Sequence, residues 1–181
     1  MRKIGLFLGI SAVLLAVAAP VAAQPTTETV ITFTVAQAEL TIDAPDQVNL
    51  GAAFPGEEVE GQIGPIRVSD QRAAPVATWT VTVTATDFIR VGNTGLPEED
   101  LPPGLVEYWS GPLLASTGTG TFLPGQLTEE QEVTLDQARV ALRKTSGAGV
   151  NTATFNPTLE IDIPDTAVAG TYQGTVTHSV A

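Results

Sequence analysis

The sequence contains no cysteine, a single histidine and only eight lysine and arginine residues among 181. Without cysteine the chain has no disulfide, no thiol nucleophile and no thiolate metal site, so its stability has to come from a buried core. Its 20 acidic residues give a formal net charge of −12. Because a surface of this sign repels the phosphates of nucleic acids, we expect no nucleic-acid partner.

Long apolar runs are also absent, except at the N-terminus. Arg2 and Lys3 precede an apolar run at 4–19, and the small residues Val21 and Ala23 follow it. This order is typical of a secretory signal peptide. The run of about 16 residues is shorter than the roughly 20 that a membrane-spanning helix needs. We therefore predict cleavage after Ala23, with an uncleaved anchor as the alternative.

The predicted division of the chain is a signal peptide at 1–23 and a single domain at 24–181. Loss of Arg2 and Lys3 with the signal peptide changes the formal charge from −12 to about −14. No second apolar run of that length follows, so the mature chain is expected to have no membrane span. We expect a secreted protein, located outside the cell or on its wall.

From residue 28 onwards the hydrophobic pattern has a period of two. In 79–88, which reads WTVTVTATDF, apolar side chains alternate with threonine, a β-branched residue that favours extended backbone. Similar alternation predicts strands at 30–35, 39–43, 58–63, 66–68, 105–109, 158–163 and 171–180. Glycine and proline turns separate these segments. The fold class predicted is all-β, an antiparallel two-sheet sandwich that is Ig-like or jelly-roll-like.

Three regions do not follow this pattern. Segments 90–103 and 110–125 are rich in glycine and proline, and we expect long loops there. Segment 127–144 contains good helix formers, but 133–135 and 140–142 also suit strands. We favour two strands over one helix in this segment.

Two stretches carry a resemblance to a known family: Ala77–Val81, which reads ATWTV, and Ala169–Val180, which reads AGTYQGTVTHSV. With them the sequence resembles the WxL-domain surface proteins of Gram-positive bacteria, in particular the WxL-like secreted proteins of actinobacteria. The resemblance extends over most of the mature chain, including Gly51–Asp70 and Tyr108–Pro112.

WxL domains attach non-covalently to the cell wall through peptidoglycan, so the resemblance implies wall or surface binding and adhesion. The expected partner is a cell-wall glycan or another surface protein. Trp79 stands in the first motif, which here ends in Val81 instead of leucine. At the place of the second motif this chain has His178-Ser179-Val180.

Aromatic residues are the candidates for a binding site, because their rings stack on sugars or fill a partner's pocket. Trp79 lies on the alternating apolar face and is expected in the core. Tyr108 and Trp109 are neighbours in a predicted strand and point to opposite faces. We predict that one of the two is exposed and makes contacts.

Catalytic chemistry has little support in the sequence. His178 has no nucleophile or orienting partner in a recognisable motif, and we expect a hydrogen-bonded residue near the core face. The acids at 98–100 and 129–130 are candidates for the two carboxylates that a glycosidase needs. Their loop setting favours solvated charge instead. We predict no enzyme and no cofactor.

Metal binding is the remaining chemistry to consider. Aspartates at predicted strand ends, Asp43, Asp46, Asp70 and Asp87, and the acidic stretch 98–100 offer oxygen ligands to calcium. No Asp-x-Asp-x-Asp-Gly loop is present, so we predict no metal site and leave calcium as an alternative.

These observations favour a secreted protein that works by contact. We expect it to associate non-covalently with the cell envelope through its threonine-rich face and the segments 90–103 and 110–125. The alternative is a structural subunit of an extracellular assembly, in which edge strands pair between chains.

Overall fold

The computed structural model describes residues 27–35 and 39–181. The chain divides after Val35 into two units, 1–35 and 36–181. The predicted signal peptide at 1–23 and its cleavage site lie outside the described residues.

The strand predicted at 30–35 is not formed: no residue of 27–35 is in a strand. Four large apolar side chains of this segment are exposed, those of Val30, Ile31, Phe33 and Val35. An extended segment becomes a strand only when its backbone groups pair with a neighbour, and alternation of side chains does not supply that neighbour.

Residues 39–181 are all-β, as the alternating pattern predicts. The strands are β1 (Leu40–Asp43), β2 (Glu58–Gln62), β3 (Ile66–Asp70), β4 (Trp79–Ala85), β5 (Phe88–Arg90), β6 (Asp100–Leu101), β7 (Val106–Trp109), β8 (Leu113–Thr117), β9 (Phe122–Pro124), β10 (Val133–Thr134), β11 (Arg139–Lys144), β12 (Asn151–Phe155), β13 (Thr158–Asp162), β14 (Tyr172–Gln173) and β15 (Val176–Val180). Three short 3-10 helices lie at Pro97–Glu99, Pro103–Leu105 and Glu129–Gln131. Among these described residues no helix is long and apolar enough to span a membrane.

All strand pairs in 39–181 are antiparallel and form four sheets. Their strand orders are β1-β3-β12-β8, β10-β7-β13-β2, β15-β4-β11-β9 and β14-β5-β6. The first two sheets share three chain segments, because β2 leads into β3, β7 into β8 and β12 into β13. Each of these three segments runs from one sheet into the other, and the segments have the same order in both sheets. The two sheets are therefore halves of one bent sheet.

Proline marks the bend in all three shared segments, at Gly64-Pro65, Gly111-Pro112 and Asn156-Pro157. Proline has no N–H to donate to a neighbouring strand, which interrupts the ladder at that level. Two other hydrogen bonds join the segments there: Ile63 N–H donates to Pro157 O at 2.9 Å, and Gly64 N–H donates to Asn156 Oδ1 at 2.9 Å.

The core lies between the bent sheet and the β15-β4-β11-β9 sheet. In β4, Trp79, Val81 and Val83 are buried, whereas the intervening threonines are half-buried or exposed. Aromatic rings of the two layers lie close together in the core. The ring centroid of His178 lies 5.7 Å from that of Tyr108 and 6.2 Å from that of Phe155. Residues 39–181 therefore form an antiparallel β-sandwich, which confirms the predicted fold class.

The ambiguous segment 127–144 contains two strands, β10 and β11, as favoured. The prediction of long loops was wrong in part: 110–125 contains β8 and β9, and 90–103 contains β6. Four of the five side chains of β8 are exposed. Backbone pairing with β12 forms this edge strand, and an edge with few buried side chains leaves no alternating pattern in the sequence.

Candidate functional site

The three aromatic residues singled out from the sequence are all buried. Trp79 is 3% exposed, which confirms its predicted place in the core, and Tyr108 is fully buried. Trp109 is only 9% exposed, so the expectation that one residue of the Tyr108–Trp109 pair lies on the surface was wrong. Trp109 lies on the outer face of β7 and β13, where its neighbours Thr158 and Glu160 are also buried.

The indole N–H of Trp79 is part of a buried polar network. Its Nε1–H donates to Asn151 Oδ1 at 2.9 Å, and Asn151 Nδ2 donates to Asp70 Oδ2 at 3.3 Å. Arg72 donates to both oxygens of Asp70, at 2.9 and 3.1 Å, and these bonds hold the pKa of Asp70 below its usual value. The network gives every member a partner, and the guanidinium of Arg72 neutralises the charge of Asp70.

His178 has the structural role expected from the sequence. Its Nε2 lies 3.1 Å from Tyr108 Oη in a hydrogen bond. Burial lowers the pKa of His178 to about 4 and raises the pKa of Tyr108. Both groups are therefore neutral near pH 7, and the pair links the two layers of the core.

The acids at 98–100 do not all behave as solvated charge. Glu99 is 2% exposed and accepts hydrogen bonds from Arg90 Nη1 at 2.8 Å and from the backbone and side chain of Thr94. These bonds, the Thr94 backbone bond foremost, lower the pKa of Glu99. Glu98 and the pair at 129–130 are exposed, as expected. Glu99 also accepts from Leu96 N–H at 3.4 Å, as a glutamate in the first turn of a helix does, but leucine in place of serine or threonine at the cap position left no sequence signal for it.

The aspartates considered as calcium ligands are not brought together. Within 27–35 and 39–181, none of Asp43, Asp46, Asp70 and Asp87 belongs to a group of three acidic or histidine side chains close enough to share an ion. Strand ends that are separated in the sheet topology do not converge on one point.

An open cleft of about 760 Å³ lies where β5 and β14 meet the turn after β1. Its lining residues are Pro45, Asp46, Gln47, Val48, Leu50, Ile63, Thr86, Asp87, Phe88, Ile89, Leu159, Tyr172, Gln173, Gly174, Thr175 and Val176. None of these residues is lysine or arginine. The lining combines two aromatic rings with aliphatic side chains and a rim of amides, hydroxyls and carboxylates.

Local contacts hold the two rings of the cleft in place. Tyr172 Oη donates to Val168 O at 2.7 Å, which fixes the orientation of its ring. Gly174 lies against the ring of Phe88, and a Cβ at position 174 would come within 2.7 Å of it. Any other residue at 174 would have to displace Phe88, so glycine is required by this close approach.

Such a cleft suits a neutral, polar ligand better than an anion. Aromatic and aliphatic surface binds the apolar face of a sugar ring, while amides and hydroxyls satisfy its hydroxyl groups. The cleft residues come mainly from three distant segments, 45–50, 86–89 and 172–176, and sequence reasoning missed them because no local motif connects them.

Comparison with known proteins gives no match: no protein-family model, no curated protein and no solved structure matches this chain.

Proposed function

We propose that this chain is an exported, non-catalytic binding protein that associates non-covalently with the cell envelope, and that the cleft between β5, β14 and the 45–50 turn is its contact site. The partner proposed is a cell-wall glycan. The observation that carries the proposal is the cleft itself, with Phe88 and Tyr172 held in fixed orientations beside a polar rim.

Three further features support the proposal. The N-terminal sequence is typical of a signal peptide, which would deliver the protein to the envelope. The resemblance to WxL-domain proteins, which is itself part of this proposal, implies wall binding. The lone histidine is committed to a hydrogen bond with the buried Tyr108, which favours contact over acid–base catalysis.

Co-sedimentation of the purified secreted protein with purified Gram-positive cell walls tests the proposal. We expect Val48→Asp to weaken binding about tenfold, because it places an unpaired charge on the apolar part of the cleft. Val150→Asp is the matched control, because it adds the same charge outside the cleft. Val150 is 48% exposed and Val48 is 43% exposed, so the two sites are equally accessible.

Binding by the unmodified protein that is weakened in Val48→Asp and unchanged in Val150→Asp supports the proposal. Equal binding by both variants contradicts the cleft as the contact site. No sedimentation of the unmodified protein above that of an unrelated β-sandwich contradicts wall association.

A second candidate is a structural subunit of an extracellular assembly. The observation that favours it is the segment 28–35, which is not in a strand and where Ile31 and Phe33 are each 84% exposed. Alternating apolar side chains on an extended segment are what strand addition to another chain's sheet edge requires.

Sedimentation velocity over a range of protein concentrations distinguishes this candidate. We expect assembly to be lost when Ile31 and Phe33 are both replaced by aspartate, and retained when Thr32 and Thr34 are replaced in the same way. A concentration-independent monomer contradicts self-assembly.

A further inference from the structure

The outer face of the β10-β7-β13-β2 sheet is lined by acids. In β13, Leu159 and Ile161 face the core, so Glu160 and Asp162 point to the other side. The register places Glu160 directly between Glu107 and Glu60, and Asp162 opposite Glu58. Glu132, immediately before β10, completes the group. We call the residues Glu58, Glu107, Glu132, Glu160 and Asp162 the acidic face.

Side-chain oxygens on the acidic face converge on Glu160. One carboxylate oxygen from each of Glu58, Glu160 and Asp162 lies within 4.8 Å of the others, and the same holds for Glu107, Glu132 and Glu160. Ligand atoms that share a calcium ion at 2.3–2.6 Å each lie no more than about 5 Å apart. Each set of three therefore has the spacing that one such ion needs.

The observation that points to a ligand is the burial of Glu160 without a partner. Its side chain is only 8% exposed, yet no hydrogen bond or ion pair joins it to another described residue. The half-buried Glu132 supplies a fully buried oxygen, Oε2, that has no hydrogen-bond partner among the described residues. By contrast, the buried acids Asp70 and Glu99 each have an arginine partner.

Such an arrangement is costly for the protein alone. Carboxylates placed opposite each other on neighbouring strands repel, and a buried charge needs a partner. Burial, followed by repulsion from the neighbouring glutamates, raises the pKa of Glu160 to about 7. Burial and repulsion also raise the pKa of Glu107. A bound cation or bound protons would relieve the repulsion.

We propose that the acidic face is a binding site for a hard divalent cation, with calcium as the ion and Glu160 as the shared ligand. Glu58 and Asp162 complete the ligand set on one side of Glu160, and Glu107 and Glu132 on the other. All ligands are carboxylate oxygens, and histidine and cysteine are absent from the set, which fits calcium and disfavours zinc. Calcium takes six to eight oxygens, so waters fill the remaining positions.

The choice of calcium over magnesium rests on the ligands. Three carboxylates on adjacent strands form a highly charged set with room for water ligands, which suits calcium, whereas magnesium demands near-octahedral geometry and keeps several of its waters. Extracellular calcium modules bind with dissociation constants of roughly 10⁻⁴ to 10⁻³ M, and we expect this range for an exported protein.

The test is thermal unfolding and isothermal titration calorimetry of the purified secreted protein with calcium chloride, against EDTA and against sodium chloride of equal ionic strength. We expect calcium to raise the melting temperature and to bind with a dissociation constant of about 1 mM. Magnesium at the same concentration is expected to give a smaller shift.

The variant Glu160→Gln distinguishes a metal site from a cluster of acids that only repel one another. The amide removes one buried charge, so we expect this variant to melt higher than the unmodified protein in EDTA and to lose the calcium shift. Glu98→Gln, an exposed acid outside the acidic face, is the matched control and is expected to keep the full shift.

Glu107→Gln and Asp162→Asn identify the side of Glu160 that holds the ion. Loss of the shift in one of these variants assigns its set of three, and loss in both indicates that the two sets act together. A calcium shift that survives in Glu160→Gln overturns the proposal, as does the absence of any shift in the unmodified protein at about 10 mM calcium, roughly ten times the weakest expected dissociation constant.

Discussion

The groups that surround a buried acid determine whether its pKa rises or falls in this protein. Glu99 and Glu160 are both buried, at 2% and 8% exposure. The backbone and side chain of Thr94, together with Arg90, donate to Glu99, and its pKa falls. Burial without such donors, and then repulsion from neighbouring acids, raises the pKa of Glu160. The sequence alone does not separate the two cases, because Arg90 reaches Glu99, and Glu107 reaches Glu160, only through the fold.

Stability of the ion-free protein should depend on pH through Glu160. Its pKa is raised from 4.5 to about 7, so the folded protein holds a proton that the unfolded chain has released between these values. The folded state then binds more protons, and its free energy of unfolding falls as the pH rises through this window. The groups that face Glu160, all of them acids, are Glu58, Glu60, Glu107, Glu132 and Asp162.

His178 acts in the opposite direction, because its pKa is lowered from 6.5 to about 4. Its contribution to stability is lost as the pH falls through that range. Urea unfolding in EDTA from about pH 4.5 to about pH 7 should therefore be compared between the unmodified protein and Glu160→Gln. We expect the stability advantage of Glu160→Gln to grow as the pH rises to about 7. A difference that is constant over this window would contradict the raised pKa.

Because Asn151 joins Trp79 to Asp70 in the buried network, we expect its replacement to lower the stability of the protein substantially. Asn151→Ala removes the acceptor of Trp79 Nε1–H and one donor to Asp70. Leaving a buried donor without a partner costs about 1–3 kcal/mol, so we expect the free energy of unfolding to fall by about 2 kcal/mol. Urea unfolding followed by tryptophan fluorescence measures the change. Asn93→Ala, at an exposed position, should change stability by less than about 0.5 kcal/mol.

At the scale of elements, alternation predicted the strands whose side chains form the core. Central strands such as β4 and β13 have one face packed in the core, and that burial produces the pattern. Edge strands such as β8 form by backbone pairing, which leaves little pattern to read. The segment 30–35 shows the converse, since it has the pattern but is not in a strand.

The bend in the large sheet gives a prediction at this scale. Gly64 N–H donates to Asn156 Oδ1 in a partly buried setting. This bond joins two adjacent chain segments at the points where proline interrupts their strands. Asn156→Ala removes this bond and an exposed bond from Asn156 Nδ2 to Gln62 Oε1, and it should lower the free energy of unfolding by about 1 kcal/mol, mostly through the partly buried bond to Gly64. Asn49→Ala removes a bond of the same kind, to Gly51 N–H, at an exposed site. We expect a smaller loss there in urea unfolding, and an equal loss would contradict a special role for the bend.

At the scale of the molecule, the acidic composition was evident from the sequence, but its distribution was not. The acidic face draws its five residues from four separate segments, around 58, 107, 132 and 160–162. Each residue lies on the side of a strand that faces away from the core, or beside a strand. Their convergence depends on the strand order β10-β7-β13-β2, which alternation does not determine. The cleft, drawn mainly from three distant segments, was unpredictable for the same reason.

The cleft and the acidic face share no residue, so their proposed roles should separate in experiments. Leu159 lines the cleft, and its neighbour Glu160 points to the opposite face of the sheet. We expect Val48→Asp to weaken wall binding about tenfold and to keep the calcium-induced rise in melting temperature. Glu160→Gln should lose that rise and keep wall binding. If Glu160→Gln also abolished co-sedimentation, the ion would have to form part of the wall contact, since the cleft residues are unchanged in that variant.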